Sequence, residues 1–202
     1  MAETVAPAAG AKDDLQRYLQ VGRDSVLWKL DGLAEYDIRR PMTPTGTNLL
    51  GLVKHLAGVE MGYFGETFGR PVADAPPWLS DEDVEHNVDM WATAEESREE
   101  IVGLYRQAWA HADETIAALP LDAVGRVPWW PPDRAERTLH FILIHVIAET
   151  HRHAGHADVV RELIDGSAGW NAGNENMPPV DQAWWQDYRE RLEQVARETG
   201  GD

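Results

Sequence analysis

From Thr138 to Ile164 the chain reads "TLHFILIHVIAETHRHAGHADVVRELI", with no proline inside it and a glycine soon after at Gly166. Ile, Val and Leu recur three and four residues apart over that whole length, which is the pattern of one long amphipathic helix closed by a glycine cap. A helix of this kind must bury one side against other helices. Five histidines and Glu149 interrupt its apolar residues, so the packing face and the chemistry have to be read together.

The rest of the chain supplies the partners. Asp13 to about Ile38 places Leu15, Leu19, Val26, Leu27, Leu30 and Leu33 at helical spacing, until "RRPMTPTGT" breaks the run. A second helix is expected from about Asn48 to Phe68, with Leu49, Leu52, Leu56, Val59 and Tyr63 on one face. Gly69 to Trp91 is a long acidic connection containing prolines, after which a Thr93–Glu96 capping box predicts a third helix reaching about Leu119. "LPLDAVGRVPWWPPDRAER" is a loop, and after "GSAGWNAGNENMPPV" a last helix spans Asp181 to about Glu198. With no repeat and no strand pattern, the fold class is all-α: a four-helix bundle with a crossover connection plus a C-terminal helix. Residues 1–12 are expected to be a flexible tail and residues 13–202 a single domain.

A formal charge of -17 argues against nucleic acid or an anionic membrane as partner. The chain has no cysteine, so any metal site must use His, Asp and Glu. No apolar run is long enough to cross a membrane and no signal peptide is visible, from which a cytoplasmic location is expected. "GVEMGYFGETFG" spaces its glycines irregularly and lacks a phosphate-loop lysine, and neither G-x-S-x-G nor H-E-x-x-H occurs.

At about 100° per residue, and with His145 as zero, Glu149 falls near 40°, His153 near 80° and His156 near 20°. Ile142, Val160 and Leu163 share that sector, so these polar groups lie on the side expected to pack inward, whereas His140 and His151 point to solvent. Burying them is costly unless they pair or coordinate a metal. Glu149 and His153 can reach one cation, and His55, beside Leu52 and Val59 on the second helix, is the candidate third ligand. The same residues also fit an ordinary polar pair and a boundary histidine. His145 and His156 can orient ligands or carry protons. Trp129 and Trp130, between prolines, could line the mouth of a bundle cavity. Trp28, Trp109, Trp184 and Trp185 read as core or interface packing, the last two suiting a homodimer.

"TPTGTNLLGLVKHLAGVEMGYFGETFGRP" and "TLHFILIHVIAETHRHAGHADVVRELIDG" together resemble the DinB/YfiT-like superfamily of metalloenzymes, most closely its actinobacterial branch. The resemblance implies a four-helix bundle holding one divalent metal, with one ligand from the second helix and two, four residues apart, from the fourth. These positions are His55, Glu149 and His153. Zinc is the expected ion, with nickel, iron and manganese as alternatives. A carboxylate at Glu149 is similar to the mycothiol-dependent maleylpyruvate isomerase, whose additional C-terminal domain this chain is too short to hold. The resemblance further implies a thiol-dependent S-transferase or isomerase using mycothiol on a small electrophile. His145 or His156 would be the proton acceptor, and Trp129, Trp130 and Arg152 the substrate contacts. A metal-dependent hydrolase and a non-catalytic ligand-binding bundle are the alternatives.

Overall fold

The computed structural model describes residues 10–79 and 84–200. Its helices are α1 (Ala11–Trp28), α2 (Glu35–Arg39), α3 (Leu49–Glu60), α4 (Arg98–Ala118), α5 (Leu139–Asp165) and α6 (Gln182–Gly200). Residues 1–9 of the expected tail lie outside the described residues, and Ala11 and Lys12 already belong to α1. The bundle is α1 against α5, α5 against α3, and α3 against α4. Both sides of α3 are covered, and Leu49, Leu50, Leu52, Val53, Leu56 and Ala57 are all buried. The connection from α3 to α4 is the long acidic one, as expected.

Two boundaries and one pair of strands differ from the sequence reading. The first helix is not continuous to Ile38: it stops at Trp28, and Gly32 takes a φ of 75° before α2 begins. Arg161 of α5 makes that break tolerable by donating to the carbonyls of Lys29 (3.0 Å) and Asp31 (2.8 Å). The cap of α4 is Ser97 with Glu100, not Thr93 with Glu96. Glu96 accepts from the Thr93 N–H at 2.8 Å, but its carboxylate also receives the buried Lys54 ammonium at 2.9 Å, which holds this turn outside the helix. Two short strands, β1 (Val124–Arg126) and β2 (Glu136–Thr138), pair antiparallel with Gly125 opposite Arg137. Three-residue strands are too short to show a period, so none was visible in the sequence.

The orientation of α5 also needs correction. Its buried residues include Val146, Thr150, His153, Ala154, Ala157 and Val160, which centre about 120° from His145 rather than near 40°. His145 and Glu149 therefore sit at the rim of the packed face, and Leu163, expected inside, is 63% exposed. His151 is not free in solvent: its ring N–H donates to the Tyr18 carbonyl of α1 at 3.0 Å. On α6, Trp184 stacks on Tyr188 (centroids 5.1 Å apart) and Trp185 meets Trp184 edge-on. This cluster packs within its own helix rather than in the bundle core.

Among the described residues, one ion pair has both partners fully buried. Arg23 of α1 donates from Nε (2.9 Å) and Nη2 (2.5 Å) to both oxygens of Glu60 at the end of α3, and from Nη1 to Asp113 of α4 at 3.0 Å. Burial pushes Glu60 up to about 7, and the charge and hydrogen bonds of Arg23 oppose it. Arg23→Ala leaves that carboxylate without its partner and should cost about 3–5 kcal/mol. Urea unfolding should report this as a lower midpoint with an unchanged slope.

Candidate metal centre and cleft

The site is organised by one face of α3 and the turn that continues it. Gly51, His55, Gly58 and Gly62 follow at intervals of four, three and four residues and so lie in a row. At each glycine another segment comes close to the backbone. A Cβ on Gly51 would collide with the Met90 carbonyl, one on Gly58 would lie 3.1 Å from the Trp78 ring, and one on Gly62 would lie 2.7 Å from Trp129. The spacing that looked irregular along the chain is regular around the helix.

The close approach at Gly51 is what serves His55. Asn48, the N-cap of α3, accepts from the Gly51 N–H (2.7 Å) and donates to the Met90 carbonyl (3.1 Å). Asp89 is thereby set beside His55, whose Nδ1–H donates to Oδ2 at 2.7 Å. That hydrogen bond holds Asp89 below the usual carboxylate range, against its partial burial. With its proton fixed on Nδ1, His55 turns the Nε2 lone pair toward Glu149, 3.7 Å away.

α5 brings the other two groups. His153 and Glu149 lie one turn apart, with Nε2 to Oε1 at 2.9 Å, and the rings of His55 and His153 meet edge-on at 4.7 Å. One donor atom from each of His55, Glu149 and His153 falls within 4.8 Å of the others. The 3.7 Å and 2.9 Å separations from Oε1 of Glu149 can be spanned by bonds of about 2.0–2.2 Å to a single divalent ion, and two imidazoles with a carboxylate are a suitable donor set that leaves positions open. Burial would raise Glu149, but the hydrogen bond and charge of His153, together with His55, hold it below the usual carboxylate range. Burial and then the charge of His55 push His153 below the ordinary histidine value, although Glu149 acts the other way. Both shifts favour the forms that bind a cation, a neutral imidazole and a carboxylate.

A cleft of about 590 Å³ opens from Glu149 and His55 and is also lined by Tyr63, Glu66, Leu79, Trp129 and His145. Tyr63 lies in the π-helical turn Met61–Gly65, and its hydroxyl is 3.0 Å from Nε2 of His145. Trp129 stands edge-on to Tyr63 at 5.1 Å, and Trp130 edge-on to His145 at 5.2 Å. The β1–β2 pair holds the tryptophan loop at its base. Gly125, where a Cβ would lie 2.6 Å from the Thr67 carbonyl, lets that pair sit against the end of α3.

The structure thus brings His55, Glu149, His153, His145 and Trp129 to one place. His156 is exposed and lies behind His153, its Nδ1 3.4 Å from Nδ1 of that ring. Trp130 packs behind His145, and Arg152 is exposed on α5 away from the cleft lining. Sequence reasoning did not find Asp89, because its place depends on a loop folding back over Gly51. Tyr63 was read as a core residue only. The four-three-four spacing of glycines about His55 was the one available signal for the face on which loops settle.

Asp89→Ala removes the acceptor that orients His55, and should weaken divalent-ion binding by about 10–100-fold. His55→Ala, Glu149→Ala and His153→Ala should abolish stoichiometric metal, as read by elemental analysis of the purified proteins. The lowered His153 also has a consequence for stability in the metal-free protein. Between its folded value and the ordinary value of about 6.5, the unfolded chain binds a proton there that the folded chain does not. Stability therefore falls as pH drops through that window, and His153→Gln should remove this part of the pH dependence in denaturant titrations.

No curated protein matches the chain. The family model for mycothiol S-transferases matches residues 14–166, a span that runs from the start of α1 to the glycine cap of α5 and includes every residue of the cleft. The chain belongs to the mycothiol S-transferase family, within the DinB/YfiT-like superfamily.

Proposed function

We propose that the protein is a metal-dependent S-transferase that joins a mycothiol-type thiol to a small electrophile. The observation that carries this reading is the convergence of His55, Glu149 and His153 at the head of a cleft whose other wall is aromatic. In this reading the three side chains hold a divalent cation, zinc first among the candidates. A cation bound there would supply positive charge that lowers the pKa of a nearby thiol. Asp89 keeps His55 in the tautomer that leaves Nε2 free to bind.

The remaining chemistry belongs to side chains of this chain. A thiol entering the cleft loses its proton to His145, whose ring is kept in place by the Tyr63 hydroxyl and the edge of Trp130. The sulfur electron pair then forms the new carbon–sulfur bond. In a transfer the leaving group departs with its electron pair and takes up the proton held by His145; in an isomerisation the bond later breaks and the thiol recovers it. Trp129 lines the cleft beside Tyr63. His156 has no place at the substrate in this scheme, since it lies behind His153; it serves there as a hydrogen-bond partner for Nδ1 of that ring. The expected substrates are small molecules rather than nucleic acid, and no described helix is long and apolar enough to cross a membrane.

Incubating the metal-loaded protein with a panel of electrophiles, with and without mycothiol, should yield a conjugate mass only when the thiol is present. Turnover without any thiol would replace this reading with hydrolysis. His145→Ala should lower kcat by about 10²–10⁴-fold while leaving bound metal in place.

A further inference from the structure

The family match ends at residue 166, and α6 lies wholly beyond it. No residue of that helix is buried, although Trp185, Tyr188, Leu192 and Val195 follow at intervals of three, four and three and line one side of it. A lone helix in water is marginal, and most helices in proteins are held by packing of their apolar face. A second uncovered face lies on α5. Ile144, Ala148, Gly155, Val159 and Leu163 fall within a sector of about 100° on its outer side, and all are exposed, Val159 by 59%. Among the described residues a Cβ at Gly155 would meet nothing within 4 Å, so packing inside one chain does not account for a residue that weakens a helix. The segment joining α5 to α6 is held elsewhere: the Lys29 ammonium donates to the Gly169 carbonyl, and Asn171 bridges to Asn174 in a small loop.

We propose that α6 of one copy lies antiparallel along the outer face of α5 in a second copy, and that the second copy returns the same contact. Seated with Leu192 on Gly155, where the missing side chain makes room, Tyr188 reaches Val159 and Trp185 reaches Leu163. The same seating brings Glu193 to Arg152, which is exposed on α5. One oxygen of Glu193 is engaged within its own helix, by Arg197 at 2.9 Å. In the parallel direction that seat would set Arg191 beside Arg152, like charge against like. Charge thus selects the direction. One pair of helices of this length offers less than the roughly 1,200–2,000 Å² of a stable interface, and a reciprocal exchange doubles it about a twofold axis. A membrane is the poorer partner. Arg189, Arg191 and Arg197 are balanced by Asp187, Glu190, Glu193 and Glu198, whereas helices that lie on lipid carry a cationic polar face.

Analytical ultracentrifugation of the full-length protein tests this. The wild type should sediment with twice the mass of one chain at micromolar concentration and dissociate on dilution. Leu192→Glu and Gly155→Glu should each weaken association by about tenfold or more. Their melting temperatures, read at a dilution where the wild type is also a single chain, should not fall below the wild-type value, since neither side chain is packed within one copy. Arg152→Glu and Glu193→Arg should each weaken association by about three- to tenfold. Mixing those two variants should restore it, because both contacts of the mixed pair then join opposite charges. Pairing of α6 with α6 would leave Gly155→Glu and Arg152→Glu associated as the wild type is. Docking of α6 on its own α5 would leave the wild type a single chain at every concentration. Either result overturns the proposal, as does a mixture that associates no more tightly than its components.

Discussion

How closely a loop can approach a helix depends on the side chains in between, and in this protein three of them are missing where it matters. Gly51, Gly58 and Gly62 strip one face of α3 and its continuation down to backbone, and three separate segments settle on that face. Glycine inside a helix is unfavourable by roughly 0.5–1 kcal/mol relative to alanine. That cost is offset by what the approach allows: the Met90 segment delivers Asp89 to His55, the Trp78 segment closes one side of the cleft, and Trp129 closes the other. His55 stands in the middle of the row, flanked by positions that let its surroundings come near. The site is therefore a property of a helix face and not only of three candidate ligands.

Buried cations hold that frame in register. Arg23 joins α1 to the end of α3, and Lys54, fully buried on α3, donates to the Trp91 carbonyl (3.1 Å) and to Glu96. Lys29 pairs with Asp158 at 2.6 Å and also donates to the Gly169 carbonyl, while Arg161 binds Asp165 and the broken end of α1. Each cation bridges a helix to a loop or a second helix. In a chain with formal charge -17, these few internal positive groups answer carboxylates at the places where the fold would otherwise concentrate like charge. The acidic connection between α3 and α4 is anchored by Lys54 on one side of His55 and by the Asp89 hydrogen bond on the other.

Much of this was readable before any coordinates. Helical periodicity located every long helix to within a few residues, except where Gly32 breaks α1. The four-residue step from Glu149 to His153 marked a pair able to share one ion. Periodicity could not say where around α5 the packed face is centred, because apolar residues occur on nearly every side of that helix. As a result Leu163 was expected inside, His151 was expected in water, and Glu149 was read as deeper than the rim it occupies. The partners of His55 and His145 were hidden for another reason. Asp89 and Tyr63 come to them through a loop fold and a π-helical turn, and neither leaves a periodic trace in a single sequence.

The histidine pair on α5 carries one more implication. In the hydrogen-bonded arrangement Nε2 of His153 donates its proton to Glu149, so the atom that would face a cation is the one holding hydrogen. Accepting an ion requires that proton to move to Nδ1, where His156 is in reach at 3.4 Å. Ion uptake would then be coupled to a change of tautomer, with a neighbouring ring already placed beside the nitrogen that receives the hydrogen. Apparent affinity would be set jointly by free metal and by acidity, which makes the site responsive to the chemical state of its surroundings as well as to the abundance of its ion.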